Sequence, residues 1–386
     1  MKGIWWIGKD ELDDAQKRVI TLHRERSALI IGPPGSGKTN LLLLRANYLH
    51  LAGLKNIVVL VFTKTLRSFM ALGGTAYDFP HDKIMTSARF YRSILWQNGI
   101  VVDDNLSGLS DSTAFMVETI EGLIQQGKLG NCYDAILLDE AQDYSLRELN
   151  LFRKLTPRLL MAADKKQNIY EHRNGVSGLS ALVDEECELI RHYRNGENIC
   201  KVADGLGQGW GDYRPMLAGC NYNEESMPST VETERCAGIE DEVARILSRL
   251  EIQVKAYPDE LIGVLVPRNK ELDAVWDAVS KSKWGERSMF CGTDEQVEFR
   301  PDTPICVATI HAAKGLEFRA VHLAATQYIK RFPYQRELAF TAVTRCKTSL
   351  TVYHSGALPG FFEAALQCLK PESPLPVLED VFGNGQ

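Results

Sequence analysis

Ala28-Leu29-Ile30-Ile31-Gly32-Pro33-Pro34-Gly35-Ser36-Gly37-Lys38-Thr39-Asn40-Leu41-Leu42-Leu43-Leu44 is the stretch that decides the fold class. A short apolar run closed by glycines and followed by leucines reads as strand, loop and buried helix. Its middle, Gly32 to Thr39, fits G-x-x-x-x-G-K-[ST]. In that pattern backbone N–H groups cradle phosphates, the lysine neutralises them and the hydroxyl reaches a magnesium ion. Gly32, Pro33, Gly35, Ser36, Gly37, Lys38 and Thr39 are therefore candidate nucleotide-binding residues, Lys38 a candidate catalytic group and Thr39 a candidate metal ligand. Average residue frequencies produce the pattern by chance in about one chain of this length in a hundred, and its place between strand and helix lowers those odds further.

Composition sets few other limits. At 386 residues, with 45% hydrophobic and 24% charged residues, the chain has material for two or three domains and an ample core. No apolar run approaches membrane-spanning length, and Met1 to Trp6 is followed too soon by acidic residues to be a signal peptide, so a cytoplasmic protein without a membrane partner is expected. The nine cysteines form no C-x-x-C pair and no His/Cys quartet at zinc spacing, which reads as reduced structural thiols. A net charge of −6 argues against a uniformly basic nucleic-acid surface but leaves room for local grooves. Lys64/Arg67, Lys165/Lys166 and Lys330/Arg331/Arg336 are local basic groups, each also readable as a solvated face.

Further apolar runs repeat the opening pattern. Ile57 to Phe62, Ala135 to Leu138 and Arg158 to Ala162 read as strands, the last two closed by Asp139-Glu140 and by Ala163-Asp164. Strands alternating with helical stretches imply a parallel sheet, with ligands at the carboxyl ends of its strands, where Lys38, Asp139, Glu140 and Asp164 fall. After about residue 188 the pattern restarts. Strands are expected at Thr230 to Cys236, Leu261 to Val266, Ile305 to Ile310, Ala320 to Ala324 and Leu350 to Tyr353. Helices are expected at Ile239 to Leu250, Glu271 to Val279 and Glu337 to Val343, and an irregular connection at Gly205 to Glu225. The division that follows is residues 1–188, residues 189–370 and a frayed tail at 371–386.

Asp139, ending a buried strand, suits a carboxylate serving the magnesium ion, and Glu140 suits the base that orients water onto a γ-phosphate. Far away in sequence, Thr341-Ala342-Val343-Thr344-Arg345 offers an arginine able to reach the same phosphates from the second unit. A site split in this way couples closure of two domains to the nucleotide.

Eight segments in order resemble the motifs of the UvrD/Rep-type superfamily 1 helicases, over nearly the whole chain. Beside the phosphate loop they are Leu12 to Gln16, Val61 to Lys64, Leu138 to Asp143, Ala163 to Tyr170, His192 to Asn195, Thr309 to Phe318 and Arg336 to Arg345. Ala163 stands where glycine is usual, and His172 and Ala88 also depart from the family pattern. The resemblance implies two RecA-like P-loop domains, each a mostly parallel sheet with helices on both faces, with ATP and Mg²⁺ at the cleft between them.

It also implies roles. Gln16 would read the adenine edge, Tyr193 stack on the ring and Glu317 accept from the ribose hydroxyl. Gln167 would sense the γ-phosphate, and Arg194 and Arg345 would act as arginine fingers. Asp139 and Thr39 would serve the metal ion. Phe62, Thr63, Lys64, Tyr170, Thr309 and His311 would contact nucleic acid, with aromatic faces suited to stacking single-stranded bases. Phe62 also reads as a simple core residue and His311 as a satisfied histidine behind the site, each the lesser reading, and Trp5/Trp6 as a patch covering the first sheet.

Arg194 to Thr309 and Ala76 to Cys132 leave room only for motor-fold elements, so the resemblance implies a stripped form without the large accessory subdomains. The expected function is an ATP-dependent translocase or helicase on single-stranded DNA, moving 3′ to 5′, with RNA open as a substrate and a nuclease or other protein as partner. The sixth motif resembles relatives of opposite polarity. Two readings compete: a regulatory ATPase that clamps DNA or a partner, and a phosphate-loop kinase.

Overall fold

The computed structural model describes residues 11–61, 67, 78–102, 109–164, 166–167, 178–211, 213–292 and 302–369. Trp5, Trp6, Phe62, Thr63, Lys64, Lys165, Tyr170, His172 and the tail at 371–386 lie outside the described residues, as does most of the link from Gly292 to Ile305.

Two six-stranded sheets organise the chain, every pairing in them parallel. The first contains β1 (Ala28–Ile31), β2 (Ile57–Val61), β3 (Ile84–Thr86), β4 (Ala135–Leu138), β5 (Leu159–Ala163) and β6 (Glu185–Glu188), in the order β3-β2-β4-β5-β1-β6. The second contains β7 (Thr230–Arg235), β8 (Ile262–Val266), β9 (Ser288–Cys291), β10 (Ile305–Thr309), β11 (Phe318–Leu323) and β12 (Cys346–His354), in the order β7-β12-β11-β8-β10-β9. Parallel strands need crossover connections that bring helices onto both faces, so inner strands become continuous apolar runs. All five residues of β2, β5, β8 and β10 are buried.

The described helices are α1 (Asp14–Ile20), α2 (Lys38–Leu51), α3 (Ser87–Gln97), α4 (Leu109–Gln125), α5 (Leu146–Leu155), α6 (Glu197–Gly207), α7 (Ile239–Ala256), α8 (Asn269–Lys281), α9 (Gln335–Thr344) and α10 (Gly360–Gln367). Capping boxes fix two starts: Asp13 with Gln16 opens α1, and Ser145 with Glu148 opens α5. On one face of the first sheet α1 and α2 supply Val19, Leu42 and Leu49, and on the other α3 and α5 supply Phe90, Tyr91, Leu149 and Phe152. The second sheet is covered by α6 and α9 on one face and by α7 and α8 on the other.

Expected strands and helices fall where the apolar runs stand, with ends moved by one to several residues. The expected irregular stretch from Gly205 begins inside α6, whose buried residues include Ile199, Val202 and Leu206. The polar edge strand β6, Glu-Glu-Cys-Glu, carries no hydrophobic signal and forms because its backbone pairs with β1. At the other edge, the carboxylates of β7 are covered from α7, where Arg245 pairs with Glu234 and Arg249 with Glu232 and Glu234. Among the described residues no helix is long and apolar enough to cross a membrane.

Candidate nucleotide site between the two sheets

The glycine loop runs from the carboxyl end of β1 into α2. Gly35 and Gly37 have φ of 76° and 85°, the left-handed region that favours glycine. A Cβ on Gly35 would stand 2.6 Å from the Cβ of Arg194, so the loop passes against the second unit only because the side chain is absent. Lys38 Nζ donates to the carbonyls of Gly32 at 2.8 Å and Pro33 at 2.9 Å, which fold the lysine back over the loop. Burial lowers the pKa of this ammonium, against the upward pull of Asp164, Glu140 and Asp139.

Thr39 Oγ1 donates to Asp139 Oδ2 at 2.9 Å, joining the two expected metal ligands. Burial, and Glu140 beside it, push the Asp139 carboxyl up to about 7. Burial alone would raise Glu140 too, but Lys314, Arg345 and Lys38 together hold it below the ordinary range. Two adjacent acids are thus driven apart, leaving Glu140 as the carboxylate that stays ionised. Glu140 has φ 50° and ψ 48°, a strained conformation for a residue with a side chain, and it turns the chain at the strand end. Gln142 Nε2 donates to Glu140 Oε2, while Gln142 Oε1 accepts from the backbone N–H of Asp164 at 3.1 Å.

The second sheet supplies the opposite wall. Arg345, at the end of α9, donates through Nη2 to Gln167 Oε1 at 2.7 Å and through Nη1 to the Leu316 carbonyl at 3.3 Å. Burial, then the neighbouring Arg194, lowers its pKa to about 10, so it remains charged at neutral pH. Gln167 Nε2 donates to Thr344 Oγ1 at 3.1 Å. Arg194 Nη1 donates to Glu317 Oε1 at 2.6 Å. Asn195 Nδ2 donates to the carbonyls of Thr344 at 2.9 Å and Cys346 at 2.6 Å, tying the Arg194 loop to the strand after Arg345. Lys38, Thr39, Asp139, Glu140, Gln167, Tyr193, Arg194, Glu317 and Arg345 all line one cleft of about 440 Å³.

A magnesium nucleotide fits these residues. Thr39 and Asp139 offer the hard oxygen donors such an ion takes. Arg194 Nη2 and Arg345 Nε are buried donors without a hydrogen-bond partner among the described residues. Gln16 stands elsewhere: its Oε1 accepts from Asp13 N at 3.1 Å and its Nε2 donates to the Ser36 carbonyl at 3.0 Å, beneath the loop and off the cleft lining. Tyr193 lines the cleft and donates to Asp13 Oδ2 at 2.6 Å.

The expected nucleic-acid residues Phe62, Thr63, Lys64 and Tyr170 fall outside the described residues. Thr309 ends β10, buried, its Oγ1 accepting from Ala312 N at 3.1 Å. His311 packs among Phe332 and Tyr334, and burial, with Lys314 nearby, lowers its pKa to about 4.

Lys314 is the residue sequence reasoning passed over. Its Nζ donates to Asp143 Oδ1 at 2.7 Å and to the Gln167 carbonyl at 2.5 Å, both partners belonging to the first unit. Lys314 and Asp143 each lie inside a quoted motif, but 171 residues separate them and only the fold makes them partners.

A phosphate loop, an acidic strand end and arginines from a second parallel sheet define a P-loop nucleotide-binding protein with two RecA-like domains. Residues 304–353 match the model of the UvrD-like helicase C-terminal domain, and residues 16–173 match that of an AAA domain. These matches support a UvrD/Rep-type superfamily 1 helicase. It is 24% identical over 248 residues to a probable DNA helicase of Mycoplasma pneumoniae, a match covering 61% of this chain and 43% of that protein. The chain thus spans less than half the length of the curated relative it matches. Among solved structures it is similar to a PRRSV helicase, with 19% identity, TM-score 0.42 and coverage of 88% of this chain and 54% of the other. It is also similar to the C-terminal domain of a possible DNA helicase from Lactobacillus WCFS1, with 19% identity, TM-score 0.33 and coverage of 45% and 93%.

Proposed function

We propose that this protein is an ATP- and Mg²⁺-dependent motor that moves along single-stranded DNA from 3′ to 5′, in the cytoplasm. The observation that carries the reading is the bond from Arg345 to Gln167 across the nucleotide cleft. Gln167 belongs to the first unit and Arg345 to the second, so a γ-phosphate between them would change how the two units meet. Magnesium, when bound, supplies charge to the β- and γ-phosphate oxygens. Thr39 and Asp139 hold it, Lys38 neutralises the phosphates, Glu140 orients and deprotonates water, and Arg194 and Arg345 offset charge on the transferring group. Glu317 and Tyr193, which line the cleft, would take the ribose and the base. Polarity rests on the likeness of Lys314 to Phe318 to the fifth motif of 3′ to 5′ relatives.

ATPase rates with single-stranded DNA, duplex DNA and RNA in parallel, together with directional displacement of a protein block from single strands, test the proposal. Stimulation by single-stranded DNA with displacement from 5′ ends is expected. Stimulation without displacement favours the clamp, in which the ATPase regulates a partner such as a nuclease. Turnover indifferent to nucleic acid overturns both.

A further inference from the structure

Among the described residues outside the nucleotide cleft, one cluster brings metal-ligating side chains together. A nitrogen of His192 and the Sγ atoms of Cys200 and Cys220 lie within 4.8 Å of one another. The His192 Nε2 to Cys200 Sγ distance is 3.7 Å. A tetrahedral zinc ion, with Zn–N of about 2.0–2.1 Å and Zn–S of about 2.3 Å, places its nitrogen and sulfur ligands about 3.6 Å apart, so the two atoms already stand at ligand spacing.

The backbone holds the trio firmly. His192 and Cys220 form an isolated parallel bridge, with His192 N donating to the Gly219 carbonyl at 3.0 Å and Asn221 N to the His192 carbonyl at 2.9 Å. Cys200 sits on the first turn of α6, whose start is tied by Gly196 N to the Lys347 carbonyl at 2.8 Å. His192 and Cys200 are fully buried, whereas Cys220 is half-buried, which leaves a path for an ion and for water. Both thiols donate to the Asn195 carbonyl, at 3.5 Å from Cys200 and 3.3 Å from Cys220, and Nε2 donates to the Met216 carbonyl at 2.8 Å. Thiols are weak donors, so little hydrogen bonding is lost when a metal replaces their protons.

We propose that His192, Cys200 and Cys220 bind one thiophilic divalent cation of the zinc class, with water in the fourth position. Binding releases the two thiol protons to solvent and moves the ring proton from Nε2 to Nδ1. The ligands flank Tyr193 and Arg194 on one side and precede Tyr222, Asn223, Ser226 and Met227 on the other, all of which line the cleft. The ion therefore fastens two walls of the nucleotide site to each other.

The test is cobalt titration of the full chain, reduced, stripped of metal and free of nucleotide. One equivalent of Co²⁺ should give the intense visible bands and thiolate charge transfer of tetrahedral coordination, and Zn²⁺ should abolish them. Cys200→Ser and Cys220→Ser should lose the bands, while Cys132→Ser and Cys368→Ser keep them. Because buried Cys200→Ser is the variant most prone to misfold, half-buried Cys220→Ser carries the decision, with circular dichroism verifying its fold. Zn²⁺ should also raise the Tm of the wild type but not of Cys220→Ser. Absence of the bands in the wild type, or equal bands in folded Cys220→Ser, overturns the proposal. So does a Cys200–Cys220 disulfide in the purified protein that, once reduced, takes up no cobalt.

Discussion

Replacing Lys314 by Met should loosen the contact between the two domains by about 3–5 kcal/mol, the cost of breaking a buried ion pair from one side. The magnitude follows from burial: Lys314 is 2% and Asp143 0% exposed, at 2.7 Å, so a methionine takes the Lys314 ammonium away from a fully buried carboxylate. At about 1.4 kcal/mol per tenfold change, this lowers the population of the docked arrangement by about two to three and a half orders of magnitude. Lys314 is also the first of the charges holding Glu140 down, so its loss raises the pKa of that carboxyl. Chemical denaturation of wild type, Lys314→Met, Asp143→Asn and the double variant gives the coupling energy as a double-mutant cycle. Asp143→Asn should restore much of what Lys314→Met loses, because it removes the buried charge that the Lys314 ammonium offsets. Wild-type stability in Lys314→Met, or a double variant no more stable than Lys314→Met alone, would refute the reasoning.

Glu140→Gln should retain nucleotide binding while hydrolysis stops, measured as filter-bound ATP against phosphate release; near-normal turnover removes Glu140 from the role of base. Arg345→Ala should lower kcat by about three orders of magnitude, the scale of a missing arginine finger, with a smaller change in nucleotide affinity from titration calorimetry. Gly35→Ala should weaken nucleotide binding even though it adds one methyl group, because φ is 76° and the new Cβ meets Arg194; unchanged affinity would mean the loop relaxes freely. His322, fully buried between Tyr353 Oη and Gln253 Oε1, has its pKa lowered to about 3 by burial and then by Arg249. The unfolded chain, with His near its ordinary value of about 6.5, then binds more protons from pH 6.5 down to about 3, so His322 costs stability as pH falls through that window. The slope is at most about 1.4 kcal/mol per pH unit, and His322→Gln should show a correspondingly shallower loss in acid melts; identical slopes would contradict it.

The strand ends that carry Lys38, Asp139, Glu140 and Asp164 were legible from the sequence because a parallel strand buried on both faces leaves a continuous apolar signature and its polar successor marks the end. The glycine loop was legible because its backbone needs residues without Cβ at Gly35 and Gly37. Edge strands β3, β6 and β9 were not, being short or polar and held by pairing rather than by their own pattern.

Side-chain partnership lay further out of reach. Nothing in Leu12 to Gln16 shows that the Gln16 amide is taken up by Asp13 and the Ser36 carbonyl, nor does the fifth motif show Lys314 reaching Asp143. His192, Cys200 and Cys220 match no ligand spacing because a bridge and a helix start, not a short motif, bring them together. Sequence by itself thus determined the class of chemistry, since phosphate cradling and strand burial are local demands on residue type. Tertiary structure alone decided which charges meet, because a buried ion pair or a ligand set is fixed by distances between chain segments that local sequence does not constrain.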